Sequence, residues 1–331
     1  MASTTIGSLV SGAIFGTGLT LSGVASPQVI KNQFQLSDFH MLATFLTASA
    51  SSAAIFTIYN SRSPNKTIAT KQPSNHGWIG RYDGNIIGGS MIGLGMSLTG
   101  ACPGTVLVQA ASGIGNSRLL AASVLFAGIV WVKLKPCIVV KPARDSPGNV
   151  SVMEATGWSV GKTVLTYEVA LLSAIAATLA LAPRSQRLLH PIVGGLLIGL
   201  GQLSSVLLTD KPVGVSSAYE EVGKLFWDVV AGRSIKLSAV SDSIVFASGV
   251  LAGSWLTMLN VPAMREALSR SDEQPLLSVL AGGVLLVFGA RTAGGCTSGH
   301  GISGMASMGL SSFVTVACMF GVGLLSGSVL S

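Results

Sequence analysis

The chain has 331 residues and a formal net charge of +7, yet only 10% of its residues are charged and 49% are hydrophobic. Soluble domains carry about 25% charged residues, so this composition excludes an ordinary soluble domain and indicates an all-α protein integral to a lipid bilayer. The basic residues lie in the connections between apolar segments, which is typical of positive-inside topology. They do not form the basic face that a nucleic-acid partner would need.

Nine apolar segments are predicted to be transmembrane helices. Several are shorter than the roughly 20 residues that a straight span needs, and the short ones are followed at once by a glycine-rich break. We therefore expect short re-entrant helices beside them. The polar connection at 209–240 reads as a surface amphipathic helix. In chain order the nine segments are 6–22, 41–59, 84–99, 117–134, 162–182, 190–207, 241–260, 276–291 and 311–330.

A glycine spacing recurs four times along the chain, and each copy ends in a break at a fixed distance. Small residues at this spacing also let helices pack closely in lipid, but packing alone does not explain the breaks or the two thiols found there. The glycine pairs are Gly12 and Gly18, Gly89 and Gly95, Gly195 and Gly201, and Gly283 and Gly289. Seven residues after the second glycine stand Ala25, Cys102, Leu208 and Cys296.

The number of spans between the copies predicts an inverted repeat. The first two copies begin spans one and three, and the last two begin spans six and eight, so the two pairs cross the membrane in opposite directions. This gives four helices, one connector and four helices, with a first half at 1–134, a connector at 135–189 and a second half at 190–331. Such folds bind substrate near the midplane at broken helices. Cys102 and Cys296 are therefore predicted to flank one central constriction.

These two thiols are the leading candidates for chemistry. A free cysteine is most often a packed apolar residue, and that is our reading of Cys318; Cys137 lies in a polar loop. The thiols of Cys102 and Cys296 share one repeat position. A thiol there could form a weak hydrogen bond, bind a soft metal, or attack sulfur as thiolate.

Arg291 and His300 flank Cys296 in a segment that should be apolar. Arg291 either faces the pathway and attracts an anion, or extends to the membrane interface. His300 is either a functional proton carrier or anion donor, or a structural group. One thiol and one imidazole do not make a zinc site, so no metal or cofactor is expected. No carboxylate lies near these motifs in the sequence, which argues against acid–base hydrolysis.

The segments FGARTAGGCTSGHG at 288–301 and GACPG at 100–104 resemble the YeeE/YedE family of sulfur-compound transporters, over essentially the whole chain. The resemblance implies an hourglass-shaped protein of the inner or plasma membrane that takes up thiosulfate, with Cys102 and Cys296 as a hydrogen-bonding relay. Arg291 and His300 would lie on the same pathway. The supporting loop residues would be Gly100, Pro103, Gly104, Gly295, Thr297, Ser298 and Gly299.

The first repeat departs from the thiosulfate type of this family, whose members also carry a cysteine there. Ala25 occupies that position here, with Ser22 and Ser26 nearby, as in the cysteine-free first half of the related two-component members. The expected substrate is therefore thiosulfate or a similar sulfur-containing anion.

Two function classes remain open on the sequence. The first is a transporter, expected to act as a monomer. The alternative is a membrane sulfurtransferase that forms a persulfide on Cys296 and hands the sulfur to a soluble carrier protein. Because most loop Lys and Arg residues fall on the side of the N-terminus, that terminus is predicted to be cytoplasmic.

Overall fold

A computed structural model describes residues 2–63, 66–113, 115–138, 150–181, 189–233, 240–269 and 274–329. All the regular secondary structure of this part of the chain is helical, as predicted. Its one isolated β-bridge joins Ser151 to Gly309. A single π-helix spans Ser298–Gly304. The α-helices are α1 Ala2–Leu21, α2 Pro27–Phe34, α3 His40–Arg62, α4 Asp83–Thr99, α5 Thr105–Ser112, α6 Ser117–Ile138, α7 Val152–Thr156, α8 Val160–Leu181, α9 Pro191–Thr209, α10 Ser217–Val230, α11 Asp242–Asn260, α12 Pro262–Ser269, α13 Leu276–Thr292 and α14 Leu310–Val329.

Seven of the described helices are long and apolar enough to cross a membrane: α1, α3, α6, α8, α9, α11 and α14. Helices α4 and α13, at two further predicted spans, have 17 residues each. Helix α8 is the least buried of the seven, because it packs against α3 at the periphery of the bundle. The chain is therefore an integral membrane protein.

Helices α1, α4, α9 and α13 each end at a predicted break. A short helix follows each break (α2, α5, α10 or the π-helix), and then a long helix (α3, α6, α11 or α14). The local causes differ. Pro27 begins α2, where its missing N–H costs nothing. Gly100 and Asp210 end α4 and α9 in the left-handed conformation, with φ of 62° and 56°.

Helix directions follow from the closest contacts. Helix α1 runs parallel to α11, with Gly12 against Phe246 and Gly16 against Val250. Helix α4 runs in the same way along α14. There is no room for a side chain at these contacts, since a Cβ on Gly12 would stand 2.1 Å from the Phe246 carbonyl oxygen. The glycines therefore serve close helix packing, the plainer of the two readings of their spacing.

The second glycine of each copy faces a different neighbour. Gly18 lies against Leu197 of α9, so α1 and α9 are antiparallel, because Gly7 lies against Leu208. Helices α4 and α13 are antiparallel in the same way. The first glycine of every copy thus contacts the parallel neighbour and the second the antiparallel one. The other pairs are Gly89–Thr315, Gly195–Thr47, Gly283–Ser123, Gly95–Gly282, Gly201–Phe15 and Gly289–Gly88.

Helix α10 corrects the prediction of a surface amphipathic helix at 209–240. It packs against α6 and α11, and Tyr219 is 2% exposed. Gly223 lies against the Gly128 carbonyl of α6, and the Trp227 indole donates to the Ile129 carbonyl at 2.9 Å. Of its charged side chains Glu220 is buried against the rest of the protein, at 3% exposure, whereas Lys224 stays 47% exposed. Part of the segment, residues 234–239, lies outside the described residues.

Candidate functional site at the broken helices

Cys102 lies at the start of α5. Its own N–H donates to the Thr105 hydroxyl at 2.8 Å, and the Thr105 N–H lies 3.4 Å from its sulfur. The Thr105 hydroxyl is also 3.5 Å from that sulfur. Pro103 turns the chain, and its carbonyl accepts from the Tyr219 hydroxyl at 2.5 Å. Gly104 leaves the space beside the sulfur open, since a Cβ there would stand 3.8 Å from it. The thiol is therefore buried at a helix N-terminus, where partial positive charge collects.

Cys296 is the more enclosed of the two thiols, with 1% exposure. Its sulfur lies 3.2 Å from the Ser298 hydroxyl. The N–H groups of Gly299 and Val215 and the Ser216 hydroxyl also lie near it. Val215 and Ser216 directly precede α10. Donor groups from two separate breaks thus surround the sulfur, those of the break before α10 and those of the break before the π-helix.

One pocket joins these two environments. Its cavity volume is about 40 Å³, and its polar lining includes Cys102, Thr105, Thr297 and Ser298. Because Ser298 also contacts the Cys296 sulfur, it links the pocket to the second thiol. The remaining wall is mainly apolar and includes Phe15, Leu19, Val24, Met41, Phe45, Ile198 and Ile302.

The loop of the first break, between α1 and α2, packs beside this site. The Gln109 side-chain amide connects it to the second break, because it donates to the carbonyls of Ala25, at 2.9 Å, and Gly100, at 3.0 Å. The Ser22 hydroxyl donates to Leu19, and its carbonyl accepts from His40 at 2.7 Å. Of this loop only Val24 lines the pocket. Ser22, Ala25 and Ser26 are buried beside it.

His300 holds the fourth break together. Its Nε2 donates to the Ala293 carbonyl at 2.9 Å, because a carbonyl can only accept. Nδ1 therefore carries the lone pair and accepts from the Ser312 hydroxyl at 3.0 Å. Both ring nitrogens are used, and the side chain is 1% exposed. This geometry favours the structural alternative for His300.

Arg291 is paired with a carboxylate that the sequence did not place here. Its Nε donates to a Glu220 oxygen at 2.6 Å. The Glu220 side chain is 3% exposed and also bonds Lys135 at 2.7 Å, with Lys224 at 3.5 Å. The expectation that no carboxylate lies near the motifs is therefore wrong: α10 brings Glu220 to the end of α13. The Arg291 side chain is 18% exposed, and its guanidinium is held by Glu220.

Lys71 is a second residue that the sequence analysis missed. It comes from the connection between α3 and α4, and its ammonium donates to the Gly294 carbonyl at 3.0 Å. A Cβ on Gly295 would overlap this ammonium, so the glycine makes room for it.

Thr297, one residue beyond Cys296, donates towards the sulfurs of Met96 and Met319, at 3.6 and 3.5 Å.

The other two cysteines lie away from the site. Cys137 is exposed at the end of α6, and Cys318 is half-buried in α14. No local pattern could have found Lys71 or Glu220, because each reaches the site from a distant part of the chain. A weaker signal existed for Thr105 and Ser216, since hydroxyl residues are favoured at helix starts.

Comparison with known proteins identifies the family to which the chain belongs. Residues 24–325 match the model of the sulphur transport family. The chain is 24% identical over 339 aligned positions to the thiosulfate transporter TsuA of Escherichia coli (strain K12), covering 91% of this chain and 88% of that relative. It is 28% identical over 131 residues to a probable transporter of Xylella fastidiosa (strain Temecula1 / ATCC 700964), covering 39% of this chain and 84% of that relative. The chain therefore belongs to the YeeE/YedE family of sulphur transport proteins and is a transporter, not an enzyme.

Proposed function

We propose that the protein takes up thiosulfate or a similar sulfur-containing anion, and that Cys102 and Cys296 pass the anion along by hydrogen bonds. The observation that carries this proposal is the shared pocket: Cys102 lines it, and Ser298 of the same wall contacts the Cys296 sulfur. An anion leaving one thiol would therefore meet the second through a single hydroxyl.

The helix ends around the thiols favour an anionic substrate. Helix α5 begins at Thr105, whose N–H lies 3.4 Å from the Cys102 sulfur, and α10 begins just after Val215 and Ser216, which lie near Cys296. The free N–H groups and the dipole at a helix N-terminus stabilise negative charge. Broken helices near the midplane bind anionic groups in this way in other transporters. This arrangement offsets part of the loss of hydration that an anion suffers at the midplane.

The thiols favour a substrate with a soft sulfur atom. A thiol is a weak, polarisable hydrogen-bonding group, so it can hold the terminal sulfur of thiosulfate briefly and release it. Thiosulfate is also the substrate in the name of the E. coli relative. With Ala25 at the first break, the relay we propose has two thiols, and Val24 contributes an apolar wall in place of a third.

We further propose the architecture of nine spans in a four-one-four inverted repeat, narrowed like an hourglass at the thiols. The glycine contacts described above support this arrangement. When α1 is exchanged with α9, α3 with α11, α4 with α13 and α6 with α14, each of these contacts maps onto another with the same helix direction. The Xylella relative supports it as well, because 131 residues make up 84% of its length and it is thus less than half as long as this chain. Both thiols come from one chain, so we propose that a monomer suffices.

Proteoliposomes containing the purified protein test the function. We expect radiolabelled thiosulfate to accumulate inside and to be recovered chemically unchanged. Empty liposomes provide the background. Recovery of sulfite with the label held on the protein would instead indicate sulfur transfer, and absence of any uptake would refute the proposal.

A further inference from the structure

The ammonium group of Lys71 lies directly over the turn that holds Cys296. It donates one hydrogen bond, to the Gly294 carbonyl at 3.0 Å. Among the residues that the structure describes, no carboxylate pairs with it. The side chain is partly exposed, so two of its three N–H groups remain for a ligand.

A gap separates this ammonium from the Cys296 thiol, and Gly299 keeps the gap open. A Cβ on Gly299 would stand 3.2 Å from Lys71 Nζ and 4.0 Å from Cys296 Sγ, with no other atom within 4 Å apart from its own neighbours. A small ligand placed there would therefore contact a positive charge on one side and a thiol on the other.

In the described part of the chain, Lys71 is the cation beside this gap that no carboxylate neutralises. The Arg291 charge also acts on Lys71, but Arg291 is paired with Glu220. The other titratable groups beside Lys71 in this part of the chain are His300 and Cys296. His300 has both ring nitrogens engaged and carries no charge in that arrangement.

We propose that Lys71, Gly299 and Cys296 form a binding site for a divalent sulfur oxyanion. The oxyanion end would contact the Lys71 ammonium, and the terminal sulfur would lie against the Cys296 thiol. This inference rests on the proposed function and adds the residue that selects for charge. It explains why a lysine from the α3–α4 connection reaches over Gly295, where no side chain fits.

Calorimetric binding to the purified protein tests the site, with thiosulfate and the monoanion thiocyanate as probes. We expect Lys71→Gln to weaken thiosulfate binding at least tenfold and thiocyanate binding much less. Lys71→Arg should restore thiosulfate binding to within a few-fold. Equal losses for both anions, or unchanged thiosulfate binding in Lys71→Gln, would overturn the inference.

The pH profile gives a readout that a merely structural lysine would not change. Partial burial, together with the nearby Arg291 charge, lowers the pKa of Lys71 to about 8, whereas thiosulfate keeps both charges throughout the neutral and alkaline range. Binding should therefore be strong below that pH and weaken above it, as the ammonium loses its proton. Lys71→Arg should remove this alkaline loss, because arginine stays charged. The same loss in Lys71→Arg would assign it to Cys296 and contradict the role of Lys71.

Gly299→Ala provides a second variant that should fold. Its φ is not positive, and its new Cβ would meet only the mobile end of Lys71 closely. We expect the thermal midpoint to change little and thiosulfate binding to fall several-fold; wild-type binding would show that the gap is not the site. Failure of the proposed transport function can be distinguished from failure of this site, because wild-type proteoliposomes would then show no uptake at all.

Discussion

Arg291 and Glu220 form a buried ion pair, with Nε and Nη2 of the arginine both 2.6 Å from one carboxylate oxygen. The pair fastens α10 onto the end of α13. Helix α13 directly precedes Cys296, and Val215 and Ser216, just before α10, lie near that cysteine. The arginine that marked the motif in the sequence therefore holds two of the broken helices together. Its charge is compensated before any substrate arrives.

We predict that Arg291→Gln acts mainly on stability. Removing one partner of a buried pair leaves the other charge without compensation, at a cost of roughly 3 kcal/mol, and Lys135 and Lys224 would offset only part of it. The measurement is the thermal midpoint of the purified protein in detergent. Arg291→Gln/Glu220→Gln should recover much of the loss, because no unpaired carboxylate remains. If the double variant is no more stable than Arg291→Gln, the pair is not what holds α10.

We predict that His300→Ala destabilises the protein without altering the pH profile of transport. The substitution removes the partner of the buried Ser312 hydroxyl, which costs roughly 1–3 kcal/mol. The Ala293 carbonyl keeps only the longer bond from the Asn85 amide, at 3.3 Å. Protein abundance and thermal midpoint should both fall, while uptake per folded molecule keeps the wild-type pH dependence. A stable His300→Ala protein with an altered pH profile would identify the imidazole as a proton carrier instead.

The close contact between α4 and α14 can be tested with a matched pair of glycine variants. A Cβ on Gly93 would stand 2.1 Å from the Met319 carbonyl of α14, whereas one on Gly321 of that helix would meet nothing within 4 Å. Gly93→Ala should therefore destabilise the protein by roughly 1–3 kcal/mol. Gly321→Ala should be neutral, or stabilising by up to about 1 kcal/mol. Similar thermal midpoints for the two variants would contradict the close α4–α14 contact.

The predicted orientation can be tested by labelling on intact cells in a Cys137→Ala background, because Cys137 is exposed. Thr67 is exposed in the α3–α4 connection and Ser37 in the α2–α3 connection, at opposite ends of α3. With a cytoplasmic N-terminus, an impermeant maleimide should label Ser37→Cys and spare Thr67→Cys. Labelling of Thr67→Cys alone would reverse the orientation.

The sequence predicted the helix ends and breaks, which are local features of the chain. Glycine spacing and the Pro and Gly residues at the breaks placed the helix ends near Cys102 and Cys296, because those conformations depend on adjacent residues. Contacts between distant segments were out of reach. Lys71 lies in a loop, and Glu220 lies in a segment that the sequence predicts to be a surface amphipathic helix. Only the packing of α10 and of the α3–α4 connection brings the two residues to the site. An amphipathic pattern shows that a helix has a polar face, but not whether that face meets water or protein.

The uptake of radiolabelled thiosulfate by proteoliposomes containing single cysteine variants tests the proposed relay most directly. We expect Cys296→Ala to abolish uptake and Cys102→Ala to reduce it strongly. Serine at either position should restore only part, because a hydroxyl lacks the soft sulfur. Cys137→Ala and Cys318→Ala serve as controls that should keep wild-type rates, since both lie away from the pocket. Wild-type uptake by the Cys102→Ala/Cys296→Ala protein would contradict the relay.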